Sequence, residues 1–414
     1  MRPRSKNLWR NRDFLKFWSA QTTSVFGTQI ASLAYPLTAI LVLQASSVEM
    51  GILRATGSAS AVLVGFFAGV IVDRVSRKPL LIFTDLGRAF LASLIPVAAF
   101  LGVLRIEHLF IISFFAGALN ITSEVAAMAF LPSVVEKENL VEGNSKFAAT
   151  DSVASIAGPG ISGLLVQILT APVAIIIDAV SFVFSAFFVW TIRSPEREKA
   201  VREERRSVWS EIVEGFAFVY KNPILRPLAE SIALHFLFML MISTIFTLYA
   251  IRELRLEPLL LGVIFSAFGF GFLFGALAVK RLTNRFGQGK IMVFGALLNA
   301  FASLLIPSAS GSTAVFVLFA AHLLLAFGIQ IHGINLMSLR QSITPNHLQG
   351  RMNGSFRFVN VCMMMFGALF AGLLGELIGL RATLFIGAIG MFLPFLRLFF
   401  SPVRNFTPPP VENL

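Results

Sequence analysis

The chain has one cysteine, five histidines and three tyrosines in 414 residues, and only 14% of it is charged. The lone thiol, Cys362, lies in an apolar stretch, which excludes a disulfide framework and a thiolate metal cluster. The histidines have no converging carboxylates at ligand spacing, so no metal site is expected. A phosphate-binding loop, a dinucleotide fingerprint and a nucleophile with its base are also missing. ATP-driven work, an organic cofactor and an enzymatic activity are therefore not expected.

What fills the chain instead is apolar. Hydrophobic residues make up 56%, Phe alone occurs 43 times, and the mean hydropathy is +0.79, outside the range of soluble domains. A helix needs about 20 apolar residues to cross the hydrocarbon core, and twelve segments qualify. They fall near 14–43, 49–72, 79–103, 108–134, 141–169, 172–192, 228–251, 258–281, 290–309, 313–338, 353–378 and 381–401. An all-α membrane protein follows. The basic segment from Met1 to Arg12 precedes an apolar run too long for a signal-peptide core, so no cleavable leader is expected.

The net charge of +12 could suggest nucleic acid, but the cations concentrate in alternate loops. Nearly all lie on the side of the two termini, and only Arg54, Arg105, Arg252, Arg255 and Arg381 fall on the other. That asymmetry places both termini in the cytoplasm and makes a lipid bilayer, not nucleic acid, the partner. The one long loop, 193–227, is charged through Arg206 and then periodic. Trp209, Ile212, Val213, Phe216 and Val219 share a helical face, which predicts an amphipathic helix on the membrane surface. The expected organisation is a six-helix bundle over 1–192, this linker, a second six-helix bundle over 228–402, and a disordered tail over 403–414.

Between the second and third segments the chain reads Gly65-Phe-Phe-Ala-Gly69-Val-Ile-Val-Asp73-Arg74-Val-Ser-Arg77-Lys78-Pro-Leu-Leu81. The glycines permit close helix approach, and the charges form a tight polar turn. An offset of 211 carries Asn11 to Asn222, Asp73-Arg74 to Asn284-Arg285, Ser76 to Gly287 and Glu124 to Asn335, as a parallel repeat would. The first glycines of the two loops do not align at that offset.

The pattern Gly69-x-x-x-Asp73-Arg74-x-Ser76-Arg77-Lys78-x-x-Leu81 resembles the motif A loop of the major facilitator superfamily, with Ser76 where that family usually has glycine. The stretches starting at Asn11, Asp178, Glu214 and Leu339 resemble the branch containing bacterial macrolide efflux proteins and the enterobactin exporter. The resemblance implies a gating loop of Gly69, Asp73, Arg74, Arg77 and Lys78, echoed by Asn284 and Arg285, where the missing acid implies a weaker latch. It also implies that the first, fourth, seventh and tenth helices line a central cavity. Gly158, Pro159 and Gly163 resemble a degraded fifth-helix signature of antiporters; an ordinary proline kink reads the same way.

Charges inside spans need an explanation. Glu124 shares a helical face with Asn120 and is a proton-coupling candidate or a structural carboxyl joining two helices. Asp151 is a second candidate, or the partner of a cation near the cytoplasmic mouth. Asp85 and Arg88 are spaced for a structural ion pair, and Asp178 and Arg54 read as structural. Gln21, Gln29, Asn120, His235, Gln330, His332 and Asn335 are candidates for the substrate cavity, with interhelical bonding as the alternative.

The expectation is a secondary active transporter, monomeric, in a bacterial inner membrane. It would export an amphipathic small molecule of drug, macrolide or siderophore type by proton-coupled alternating access. A metabolite importer of the same fold, or a membrane receptor or lipid scramblase, is the alternative.

Overall fold

The computed structural model describes residues 8–193 and 208–406; for residues 61–62, 65–71, 73 and 208–212 the description covers the backbone alone. The charged part of the linker, 194–207, and the end of the tail expected to be disordered, 407–414, lie outside the described residues.

All elements among the described residues are helical. The chain runs α1 (Arg12–Leu37), α2 (Ser47–Arg74), α3 (Arg77–Phe100), α4 (Ile106–Val134), α5 (Leu140–Leu169), α6 (Ala171–Trp190) and α7 (Val208–Lys221). It continues with α8 (Leu225–Arg252), α9 (Pro258–Phe286), α10 (Gln288–Ser308), α11 (Ala314–Ile343), α12 (Gln349–Ile378), α13 (Leu380–Gly390) and α14 (Phe392–Phe399). Eleven segments among the described residues are long and apolar enough to span a bilayer, with α13 and α14 together forming the last. The 28 residues of α2 supply the twelfth crossing.

The chain divides into two compact units, Met1–Val201 with Leu256–Ser266, and Arg202–Arg255 with Ala267–Leu414. The first turns of α9 thus belong to the first unit. There α1 packs on α5 and α6, α3 on α4 and α6, and α2 on α4. In the second unit α8 packs on α12, α13 and α14, and α10 on α11, α13 and α14.

The same local chemistry starts both units. Asn11 Oδ1 accepts from the amides of Asp13 and Phe14, each at 3.1 Å, and Asn222 Oδ1 accepts from those of Ile224 and Leu225, at 2.9 and 3.1 Å. Both asparagines satisfy amides that the following helix leaves open. The second cap is why α8 begins at Leu225, three residues before the span expected from hydropathy.

Each unit then buries a core at equivalent positions. Phe14, Phe17, Leu81, Phe130 and Val189 meet in the first. Leu225, Leu228, Met292, Leu339 and Leu398 meet in the second. The single offset of 211 fails part-way, however. Short 3-10 turns at Lys137–Asn139 and Asn346–Leu348, and the starts of α5 and α12, are related by 209. At that spacing the counterpart of Glu124 is Gly333, not Asn335, because a two-residue shift on a helix turns a side chain to another face.

The joint between α5 and α6 also recurs. Thr170 has φ +96° and ψ 155°, and Gly379, between α12 and α13, has φ +86° and ψ 161°. Only glycine enters that region freely; Thr170, whose side chain is exposed, is tied there by its amide bond to the Val166 carbonyl and by the Ala174 amide on its own carbonyl, each at 3.1 Å.

The linker helix α7 forms as its periodicity predicts, but not as a helix resting on the surface alone. Phe216 meets Phe358 of α12 edge to face, and Glu214 pairs with Arg351 at 2.6 Å. Part of its apolar face is buried against α12, while Val213 is exposed; the side chains of Trp209 and Ile212 lie outside the described residues.

Candidate functional site

Helical periodicity builds a polar cavity in the first unit. From α1 come Phe17, Gln21, Ser24, Thr28 and Gln29, from α4 Asn120, Ser123 and Glu124, and from α5 Asn144, Phe147 and Asp151. Within each helix these residues recur every three or four positions, so each helix turns one polar stripe inward. The cavity measures ≈ 520 Å³ and is closed on one side by Arg88 of α3. Five of the residues expected to be functional, Gln21, Gln29, Asn120, Glu124 and Asp151, therefore share it.

Glu124 and Asp151 are exposed to this cavity and make no ion pair among the described residues. The cation five residues before Asp151 on α5 is engaged elsewhere. Lys146 pairs with Glu142 at 3.4 Å and stacks 4.0 Å over the Trp9 ring.

Gln29 sits against Gly158, where a Cβ would overlap its side chain. The rest of the helix-bend sequence serves packing as well. Pro159 and Gly163 of α5 lie against Gly262 and Pro258 in the first turns of α9, with glycine facing backbone on both sides.

Behind the cavity lies a buried charged cluster. Asp85 and Arg88, expected as an ion pair, are 3.6 Å apart. Ser185 donates to Asp85 Oδ2 at 2.6 Å, and the Arg88 guanidinium lies 3.8 Å over the Phe182 ring while reaching Thr28 at 3.3 Å and Ser24 at 3.5 Å. A second cavity of ≈ 290 Å³ opens beyond, lined by Tyr35, Arg54, Asp178 and Phe182. Arg88, Thr28 and Asn120 line both cavities.

Candidates in the second unit are placed differently. Asn335 is 3% exposed and accepts from Thr283 Oγ1 at 3.0 Å, donates to the Ile331 carbonyl at 2.8 Å, and takes the Gln288 amide on its own carbonyl at 2.8 Å. It clamps α9, α10 and α11. The Nδ1 of His332 lies 3.0 Å from the Met292 carbonyl, which ties α11 to α10. Gln330 packs against Gly275 of α9, and His235 is half-buried with its ring edge-on to Phe236. Gly333, the true counterpart of Glu124, has open space beside it.

At the charged loop, α2 ends at Arg74 and α3 begins at Arg77, with Ser76 extended between them. The side chain of Asp73 lies outside the described residues, and Gly69 is described by its backbone alone. Lys78 donates to the Ile192 carbonyl at 2.6 Å, and Lys16 to the Thr191 carbonyl at 2.6 Å. Two ammonium groups thus satisfy the carboxyl end of α6, where the helix dipole is negative. In the second unit Gly287 turns with φ +89°, Asn284 and Arg285 are exposed, and Gly289, the counterpart of Lys78, lies against the Val403 carbonyl.

Residues 17–368, and again 232–412, match the family described as Major Facilitator Superfamily. The chain belongs to this superfamily. The second match begins inside α8, as two related halves require. Among curated relatives, the multidrug efflux pump Tap of Mycolicibacterium fortuitum is 26% identical over 399 residues, covering 91% of this chain and 95% of Tap. Macrolide efflux protein A of Streptococcus pyogenes is 21% identical, covering 91% and 92%. The enterobactin exporter EntS of Citrobacter koseri is 24% identical, covering 97% and 95%. The solved nucleoside transporter NupG superposes with a TM-score of 0.74 at 13% identity, covering 95% of this chain and all of NupG, and so shares the fold.

The protein is thus a multi-span Major Facilitator Superfamily transporter. Sequence reasoning named Gln21, Gln29, Asn120, Glu124 and Asp151 of this cavity but not Ser24, Thr28, Asn144 or the position of Arg88. Ser24 and Thr28 were within reach, being three and seven positions from Gln21 on one helix face. That Arg88 borders two cavities depends on how α3 meets α1 and α6, which no local pattern records.

Proposed function

We propose that the protein exports an amphipathic small molecule, neutral or cationic, by proton-coupled alternating access. The observation that carries this reading is the pair Glu124 and Asp151, which make no ion pair among the described residues and face a cavity lined also by amides, hydroxyls, the rings of Phe17 and Phe147, aliphatic side chains and, on one side, Arg88, which is paired with Asp85. Two carboxylates facing a common space attract a cation or exchange a proton, while aromatic walls accept an apolar body. The names of the relatives, which refer to multidrug, macrolide and enterobactin efflux, support export over uptake. The protein works as a monomer in the bacterial inner membrane with both termini cytoplasmic, an orientation supported by the distribution of Lys and Arg. The loops around Asp73 and Arg285 gate the exchange, with Arg74 and Arg77 as charged partners and Lys78 holding the end of α6.

Cells producing the wild type or Glu124→Gln are loaded with ethidium or a macrolide, with and without a proton uncoupler. Lower accumulation in the wild type, lost with the uncoupler and in Glu124→Gln, is the expected result. Equal accumulation of both compounds in producing and non-producing cells would sink the reading.

A further inference from the structure

Asp178 is 5% exposed on α6, and its Oδ1 is buried with no hydrogen-bond partner among the described residues. A Cβ on Gly27 would come 2.9 Å from that oxygen, so the carboxyl occupies space that α1 leaves open. A buried acceptor without a donor is costly, and a bare charge there costs more. The surrounding groups sharpen the point. Asp85 is held by Arg88 and by Ser185, while Arg88 makes no ion pair with Asp178. The buried members of the cluster, Asp85, Asp178 and Arg88, sum to one excess negative charge, which one proton removes. The carboxyl lacking donors is the one that should carry it.

The other faces of the site offer no substitute. α1 contributes Tyr35, and α2 contributes Arg54, which lines the same ≈ 290 Å³ cavity but is exposed. α5 has no titratable side chain from Ser152 to Leu169, and α4 contributes Ser113 and Asn120, neither of them titratable. A nearby arginine and a single carboxylate make a poor metal-ion site, so the fitting ligand is a proton.

We propose that Asp178 is a proton-binding site separate from Glu124 and Asp151, and that Arg88, bordering both cavities, couples it to the larger one. A cation entering beside Glu124 and Asp151 repels the Arg88 guanidinium toward Asp178. The carboxyl then ionises, pairs with Arg88 and releases its proton into the smaller cavity. One positive charge enters and one leaves, so the buried charge is conserved. The coupling half of this proposal rests on export of cationic compounds; the proton site does not.

The test uses the purified full-length protein. Infrared difference spectra across a pH change, without substrate, should contain a protonated-carboxyl band that persists in Glu124→Gln/Asp151→Asn and is lost in Asp178→Asn. Should Asp178→Asn fail to fold, Asp178→Glu decides, because it keeps the acid and must shift that band. A band unaltered in the Asp178 variants overturns the proton site. Ethidium added to weakly buffered wild type should then release protons, while Asp178→Asn binds the dye and releases none. Equal release from the two proteins overturns the coupling. If wild type binds no ethidium, the export reading and the coupling built on it fail together, and the infrared result alone decides the site.

Discussion

The two units share a plan for packing and differ in what they do with polarity. Both open on an asparagine cap, both bury an apolar core at equivalent positions, and both turn between the fifth and sixth spans through a positive-φ residue. Their interiors have diverged. Arg88 and Asp85 of the first unit correspond, 211 residues on, to Asn299 and Ala296, and Glu124 corresponds, 209 residues on, to Gly333. Charge is concentrated in the first unit, whereas the second holds amides and imidazoles bonded to backbone. Packing at a helix end is constrained by shape on every side. A cavity wall is constrained only by what must bind there, so it diverges freely after duplication.

The comparison can be broken most sharply at the charged cluster. Arg88→Ala strands the buried Asp85, and loss of one partner of such a pair costs about 3–5 kcal/mol. Its counterpart Asn299→Ala, already without a partner on Oδ1, should cost far less. Thermal unfolding followed by labelling of the single thiol, Cys362, reads both; equal midpoints would refute the asymmetry. The shared plan is tested at the caps. Asn11→Ala and Asn222→Ala should each cost about 1 kcal/mol. Asn11 should lose the more, because its Nδ2 also donates to the Val134 carbonyl at 2.8 Å. The smallest effect is expected at the second unit's clamp. Asn335→Ala should cost about 0.6 kcal/mol, the average for interhelical bonds in membranes, and leave ethidium export intact. A transport defect there would return Asn335 to the substrate path.

Much of this was legible because membrane helices are written in long apolar runs. Hydropathy located the crossings and the amphipathic α7, and period arithmetic put Glu124 and Asn120 on one face. What escaped depended on small shifts and long-range meetings. The repeat changes spacing between the third and fifth spans, and an offset taken from the first loop therefore matched Glu124 to Asn335, two residues from Gly333. Lys78 read as a gate charge, and that it also donates to a carbonyl at the far end of α6, more than a hundred residues away, no local pattern shows. Asp178 read as structural because burial and a missing donor cannot be seen until α1, α3 and α6 are packed together.

Thr170 has a mechanical meaning. Its side chain is exposed, so what fixes it is backbone: its amide donates to the last turn of α5 and its carbonyl accepts from the first turn of α6. Bending that joint breaks a helix-end bond as well as working against a conformation threonine rarely adopts, so a push on α5 is passed to α6. Gly379, in the same conformation but at ease there, leaves the joint between α12 and α13 free to act as a bearing.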